Sequence, residues 1–230
     1  MSAPYGLLLI TGNQTHQENY ARAFAADDRC RLVGLTDEGN LPERRRELNR
    51  ELADELGIPC LDDLSAAVSR DDVDFVSICA EPERRLPLTL ACIEAGKHVY
   101  LDKDPAPVVD EAWQIAEGIE AGGLLAQAFS LVRLPACQQA KQIVDSGDLG
   151  ELIALHCDVT FAKGIPGTAN LNQVRTEHPT ASRFTFPDSK REFLCVGYYP
   201  LILFQWLTGQ HFETVDAVTA NYFFEAHQTN

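Results

Sequence analysis

The segment Thr11-Gly12-Asn13-Gln14-Thr15-His16-Gln17 follows a short apolar run, Tyr5 to Thr11. Where such a run ends in glycine and leads into a helix, backbone N–H groups can face an anion, and the helix dipole adds partial positive charge. A complete phosphate-cradling fingerprint would read GxGxxG. Only its first glycine, Gly12, is present; Gln14 and Gln17 stand in the other two places. Gly12 permits the tight turn, while Gln14 limits how closely the backbone can approach a diphosphate. Asp37 closes a second apolar run, Arg31 to Thr36, 25 residues after Gly12. A carboxylate at that place accepts hydrogen bonds from a ribose 2′-OH and repels a 2′-phosphate, so it favours NAD over NADP. Gly12, Asn13, Gln14, Thr15, His16 and Asp37 are therefore candidate cofactor contacts. A plain strand-to-helix turn at Gly12 and a helix-capping Asp37 remain open on the residues alone.

The elements that must position these residues alternate regularly. Apolar strands are predicted at 5–11, 31–36, 73–80, 98–101 and 124–129. Helices are predicted at 17–26, 42–56, 62–69, 82–95, 109–121 and 135–146, several closed by a glycine (Gly57, Gly96, Gly122, Gly147). The strands are continuous apolar runs rather than period-2 alternations. That is the signature of a parallel sheet covered on both faces, with right-handed crossovers making it doubly wound. After Gly150 the pattern changes. Long strands are expected at 151–162 and 212–225, a polar loop at 163–190 and an apolar helix at 194–207. Two long strands cannot bury a sheet face alone. The chain is thus either a shortened version of something larger or completes its sheet with another subunit.

Composition narrows the classes. The 230 residues carry 19 Lys plus Arg against 34 Asp plus Glu, a formal net charge of −15. Such a surplus repels nucleic acid and anionic membranes. No apolar run approaches the ~18–20 residues that span a bilayer, and the first residues lack the basic region of a secretory signal. Seven cysteines without a close pair suggest neither a disulfide framework nor a zinc site, and most are expected to be small buried hydrophobes in a reducing cytoplasm. No histidine spacing suggests a metal. The Arg44-Arg45-Arg46 run reads as a solvated helix face, with a 2′-phosphate clamp as the alternative.

Five segments then carry a resemblance. Gly96-Lys97-His98-Val99-Tyr100-Leu101-Asp102-Lys103 resembles the GKHV…EKP segment of the glucose–fructose oxidoreductase / inositol dehydrogenase (Gfo/Idh/MocA) family. Val76 to Pro82 resembles the strand before its TP turn, and Ser146 to Leu152 its SGxLGE junction. Val196 to Pro200 with Trp206 to Gly209 resembles its GxHxxD or GxY…LxG helix, and Asn19 to Ala23 its first helix. The resemblance implies an NAD(P)-binding Rossmann domain over 1–130. It also implies a partial C-terminal α+β domain over 131–230, with a mostly antiparallel sheet for substrate binding and oligomerisation.

What the resemblance implies for chemistry is hydride transfer between nicotinamide and a small sugar, polyol or sugar-derived substrate. The EKP lysine falls at Lys103, where an ammonium can stabilise a developing alkoxide or assist proton removal from an alcohol. The second acid/base falls at Tyr199. Ala80, Glu81, Pro82, Asp102 and Lys103 join the expected cofactor contacts. The sequence departs from the family at the EKP proline, which is Asp104 with Pro105 one place later, and at the GxHxxD aspartate, which is Ile202. The chain also stops ~100 residues or more before a usual two-domain member. A Rossmann module that binds nucleotide without turnover is the alternative. Asn170, Asn172, Arg175, His178 and Arg183 are candidates to line a substrate pocket.

Overall fold

Leu7, Leu8, Leu9 and Ile10 are all fully buried, although adjacent strand residues point to opposite faces. Leu7 and Leu9 pack with Ala21, Phe24, Leu35, Leu52 and Leu56 on one face of the sheet. Leu8 and Ile10 pack with Val76, Ile78, Leu88, Cys92 and Ile115 on the other. This double burial is why the strand is apolar at every position. The computed structural model describes residues 3–12, 16–39, 41, 43–159 and 197–218.

Six parallel strands form the sheet: β1 (Tyr5–Ile10), β2 (Cys30–Thr36), β3 (Cys60–Leu61), β4 (Phe75–Ile78), β5 (His98–Leu101) and β6 (Ala126–Ala128). Their order is β3-β2-β1-β4-β5-β6. The helices α1 (Gln17–Ala25), α2 (Glu43–Leu56), α3 (Leu64–Val68), α4 (Pro82–Glu94) and α5 (Val109–Ala121) supply the crossovers. The chain runs outward from β1 to β3, then returns to place β4 beside β1. That reversal opens a crevice at the carboxyl ends of β1 and β4, where ligands of doubly wound sheets bind.

The chain divides into two compact units, the first holding the sheet through Phe129 and the second starting at Ser130. In the second, α6 (Pro135–Ser146) packs with α7 (Tyr198–Thr208), and Lys141 Nζ donates to the Leu207 carbonyl at 3.4 Å. Both helices end on a left-handed glycine, Gly147 (φ 77°) and Gly209 (φ 68°), where a side chain would be strained.

Three expectations change. The strands expected at 151–162 and 212–225 show no strand in their described portions, 151–159 and 212–218; the rest lies outside the described residues. A strand needs a hydrogen-bonded neighbour, and these portions pair with none among the described residues. Of the six described cysteines, all free thiols, only Cys79 and Cys92 are buried; Cys60 and Cys157 are exposed. Finally, the arginine run is not a uniformly solvated face. Arg44 and Arg46 are half-exposed and pair along their own helix, whereas Arg45 is buried against Glu18 at 3.0 Å.

Candidate functional site

Four strand tips converge on the crevice: Thr11-Gly12 after β1, Asp37 after β2, Ala80-Glu81-Pro82 around the end of β4, and Asp102-Lys103 after β5. Gly12 crosses the β4 tip at close range. A Cβ there would meet Ala80 Cα at 2.7 Å and a Glu81 carboxylate oxygen at 2.9 Å. The close approach of two main chains explains this glycine, which needs no positive φ. Gly12→Ala must push these turns apart, at a cost of about 1–3 kcal/mol. We expect a melting point lowered by roughly 2–4 °C per kcal/mol in a chain of this size, read by thermal unfolding.

Gln17, in the third glycine's place, turns into the sheet. Its side chain is fully buried; Nε2 donates to the carbonyls of Ser77 (3.0 Å) and Ile10 (3.3 Å), and Ser77 Oγ donates to Oε1 at 3.1 Å. The amide staples α1 to β1 and β4 and satisfies its own polar atoms. It replaces the close helix–sheet packing that the missing glycine usually allows, and does so from below the crevice.

Asp37 is held on both oxygens. Thr11 Oγ1 donates to Oδ2 at 2.5 Å, with Asn49 Nδ2 at 3.4 Å; Arg84 Nη2 and the Glu38 N–H donate to Oδ1, each at 2.8 Å. Burial pushes its carboxyl above the usual range, against the pull of Arg84 and Thr11. Arg84 also pairs with Glu38 and with Glu81 at 2.9 Å.

Asp102 is the centre of a second network. Tyr20 donates its hydroxyl to Oδ1 at 2.7 Å, His16 Nδ1 lies 3.0 Å from Oδ2, and Arg85 Nη2 lies 3.4 Å from Oδ2. Burial opposes ionisation of Asp102, but His16, Arg85 and Tyr20 outweigh it and bring its carboxyl down to about 2. An ionised carboxylate can only accept, so His16 carries its proton on Nδ1. Burial and Asp102 together push the Tyr20 phenol up, which keeps it a donor. Arg85, also fully buried, donates Nε to the Ala80 carbonyl at 2.8 Å and Nη1 to the carbonyls of Asp102 (3.2 Å) and Asp104. It therefore grips the main chain on both sides of Lys103.

The expected site residues are thus distributed unevenly. Gly12, His16, Asp37, Ala80, Glu81, Pro82, Asp102 and Lys103 come together at the strand tips. His16 keeps 38% of its side chain exposed, while Asp102 keeps none. Asp102 thus arrives as a residue that holds others, not as a surface offered to a ligand. Tyr199 lies in the second unit, on α7, buried with its ring 4.5 Å from that of Tyr198. Asn13, Gln14, Thr15, Asn170, Asn172, Arg175, His178 and Arg183 lie outside the described residues. Sequence reading missed Tyr20, Arg84 and Arg85 as parts of the site. The arginines had a signal: cations in the first turn of a helix oppose its dipole, so they imply carboxylate or carbonyl partners nearby.

These residues fit a dinucleotide. The switch point lies beside the β2 carboxylate, the glycine crossing is tight, and Gln17, in the third glycine's place, is packed beneath. Among the described residues no helix is long and apolar enough to cross a membrane.

Comparison with known proteins agrees with this geometry. Residues 8–128 match the model of the oxidoreductase family with an NAD-binding Rossmann fold, and residues 137–229 match the GFO/IDH/MocA C-terminal domain. A dTDP-3,4-didehydro-2,6-dideoxy-alpha-D-glucose 3-reductase of Streptomyces violaceoruber is 27% identical over 80% of this chain and 50% of its own. An inositol 2-dehydrogenase of Pseudomonas savastanoi pv. phaseolicola is 31% identical over 55% of this chain and 37% of its own. The chain spans half or less of the length of these relatives. Among solved structures, an NAD-binding oxidoreductase from Klebsiella pneumoniae is 28% identical, with a TM-score of 0.57 over 65% of this chain and 41% of its own. GenD2 from gentamicin A biosynthesis, solved with NAD, shares the fold with a TM-score of 0.65 at 18% identity, over 91% of this chain and 55% of its own. Both family models fall in chain order and the first alone covers more than half the residues, so the chain belongs to the Gfo/Idh/MocA oxidoreductase family.

Proposed function

We propose that this chain moves a hydride between NAD(H) and an alcohol or carbonyl carbon of a sugar, polyol or sugar-derived substrate. The observation that carries the reading is the convergence of Gly12, Asp37 and Lys103 at the tips of β1, β2 and β5 around one topological switch point. Its relatives named for glucose-derivative reduction and inositol dehydrogenation support the substrate class.

In this reading Gly12 and the start of α1 face the diphosphate, and Asp37 faces the adenosine ribose. His16 flanks the diphosphate. Lys103 polarises the reacting oxygen and stabilises negative charge that develops on it. Arg85 holds Lys103 in place through its neighbouring carbonyls, and the Asp102 carboxylate holds Arg85. Tyr199 is the proton donor on the strength of the family resemblance. Bound NAD supplies the hydride-accepting ring. The domain division at 130, an antiparallel sheet in the second part, a homo-oligomer formed through that sheet and a cytoplasmic location belong to the same proposal.

A specific feature favours a second reading, a relative that binds nucleotide without turnover: Asp104 stands beside Lys103 in the place of the family's proline. A panel of sugars and polyols, assayed with NAD⁺ by the near-ultraviolet absorbance of NADH, separates the two. Turnover on any member supports the enzyme. NADH binding with no turnover across the panel supports the binding module.

A further inference from the structure

Arg84 lies against Asp37 at the tip of β2. It sits in the first turn of α4, and its three nitrogens each reach a different carboxylate. Nη2 bonds Asp37 Oδ1 at 2.8 Å, Nη1 bonds Glu81 Oε2 at 2.9 Å, and Nε bonds Glu38 Oε2. One guanidinium therefore ties the tip of β2 to the tip of β4. The four groups carry one positive and three negative charges, a net −2. Burial grades outward: the side chains of Glu81, Asp37, Arg84 and Glu38 are 2%, 7%, 13% and 36% exposed. A ligand arriving from solvent meets Glu38 first, the guanidinium next and Asp37 behind it.

A guanidinium is the side chain best shaped to grip a phosphate, through parallel N–H donors. Here every face of that fork is already engaged by a carboxylate. Burial on its own would lower the affinity of Arg84 for its proton, but Asp37, Glu81 and Glu38 more than offset this and hold it charged. The cation is thus present at the adenosine end of the crevice, yet withheld.

We propose that Arg84 is a specificity-determining residue, a latent 2′-phosphate fork whose capture by Asp37, Glu38 and Glu81 makes the site select a ribose 2′-hydroxyl. This rests on the dinucleotide reading above. The choice between NADH and NADPH then depends on the balance of carboxylates around one cation, not on Asp37 alone. Glu38, the outermost partner, is the one whose removal releases the Nε–H of Arg84 toward the ligand.

The test is a double-substitution cycle read by binding. NADH, NADPH and 2′,5′-ADP are titrated into the wild type, Glu38→Gln, Arg84→Gln and the double variant, by fluorescence or calorimetry. Glu38→Gln is expected to tighten NADPH and 2′,5′-ADP about tenfold relative to NADH. In the Arg84→Gln background that gain disappears, since no fork remains to be released. Arg84→Lys restores part of it and serves if the glutamine variant unfolds. A gain that persists undiminished without Arg84, or no gain from Glu38→Gln in folded protein, overturns the proposal. Wild type that binds neither NADH nor NADPH overturns the dinucleotide reading beneath it, and the proposal with it.

Discussion

Lys103→Ala is expected to lower turnover on the best sugar or polyol substrate by about 10²–10⁴-fold, the usual contribution of a positioned acid/base group. Lys103 follows β5 at the tip of the sheet, and Arg85 holds the carbonyls of residues 102 and 104 on either side of it. Fixing the main chain narrows the region the ammonium can sample, and pre-set geometry is what makes a charge effective in a transition state. The substitution removes the charge and leaves the Arg85 grip intact, so the variant should still fold. The loss should appear in kcat more than in KM, because the interaction strengthens as charge develops on oxygen. A folded Lys103→Ala protein with near wild-type kcat would remove Lys103 from the chemistry.

Asp102→Ala is the second large effect, and it falls on stability. Asp102 and Arg85 are both fully buried. Removing one partner of a buried pair leaves an uncompensated charge and costs about 3–5 kcal/mol. Tyr20 and His16 lose their acceptor at the same time. A domain of ordinary stability has about 5–15 kcal/mol in all, so denaturant unfolding should show a much lower midpoint or an unfolded chain. Acid titration offers a gentler view of the same contact. The folded carboxyl is near 2 against an ordinary 3.8. Its contribution is therefore complete above pH about 4 and is lost as pH falls through about 2, amounting to about 2 kcal/mol. Asp102→Asn should lack that limb of the acid unfolding curve. An unchanged acid limb in Asp102→Asn would place the titrating group elsewhere.

The sheet was legible because physics repeats itself along it. Each of β1, β2, β4 and β5 has helices to cover it, and residues such as Leu7 to Ile10 must then be apolar on both sides. The two-residue β3 was not legible, because Cys60–Leu61 is too short to carry any period. Gly12 and Asp37 were legible as types at a telling spacing. Their surroundings were not: Gln17 reads as a defect in a glycine motif, yet it folds under the turn and bonds two strands. Arg84 and Arg85 are neighbours in sequence and do opposite jobs, one facing carboxylates at the β2 tip, the other buried among carbonyls at the β5 tip. A helix places adjacent residues about 100° apart, and only the packed structure says which side each one meets. Likewise Arg45 disappears into the interior beside two arginines that stay at the surface, because Glu18 of α1 waits for it there.

If the strand tips hold a nicotinamide dinucleotide, the chain binds NADH by itself. Titration of the purified chain with NADH, following nicotinamide fluorescence, reads that binding. The expected result is a saturable change at one site per chain, weakened by Gly12→Ala. A folded chain whose signal rises only in proportion to added NADH, with no saturation, would mean that the strand tips hold no dinucleotide.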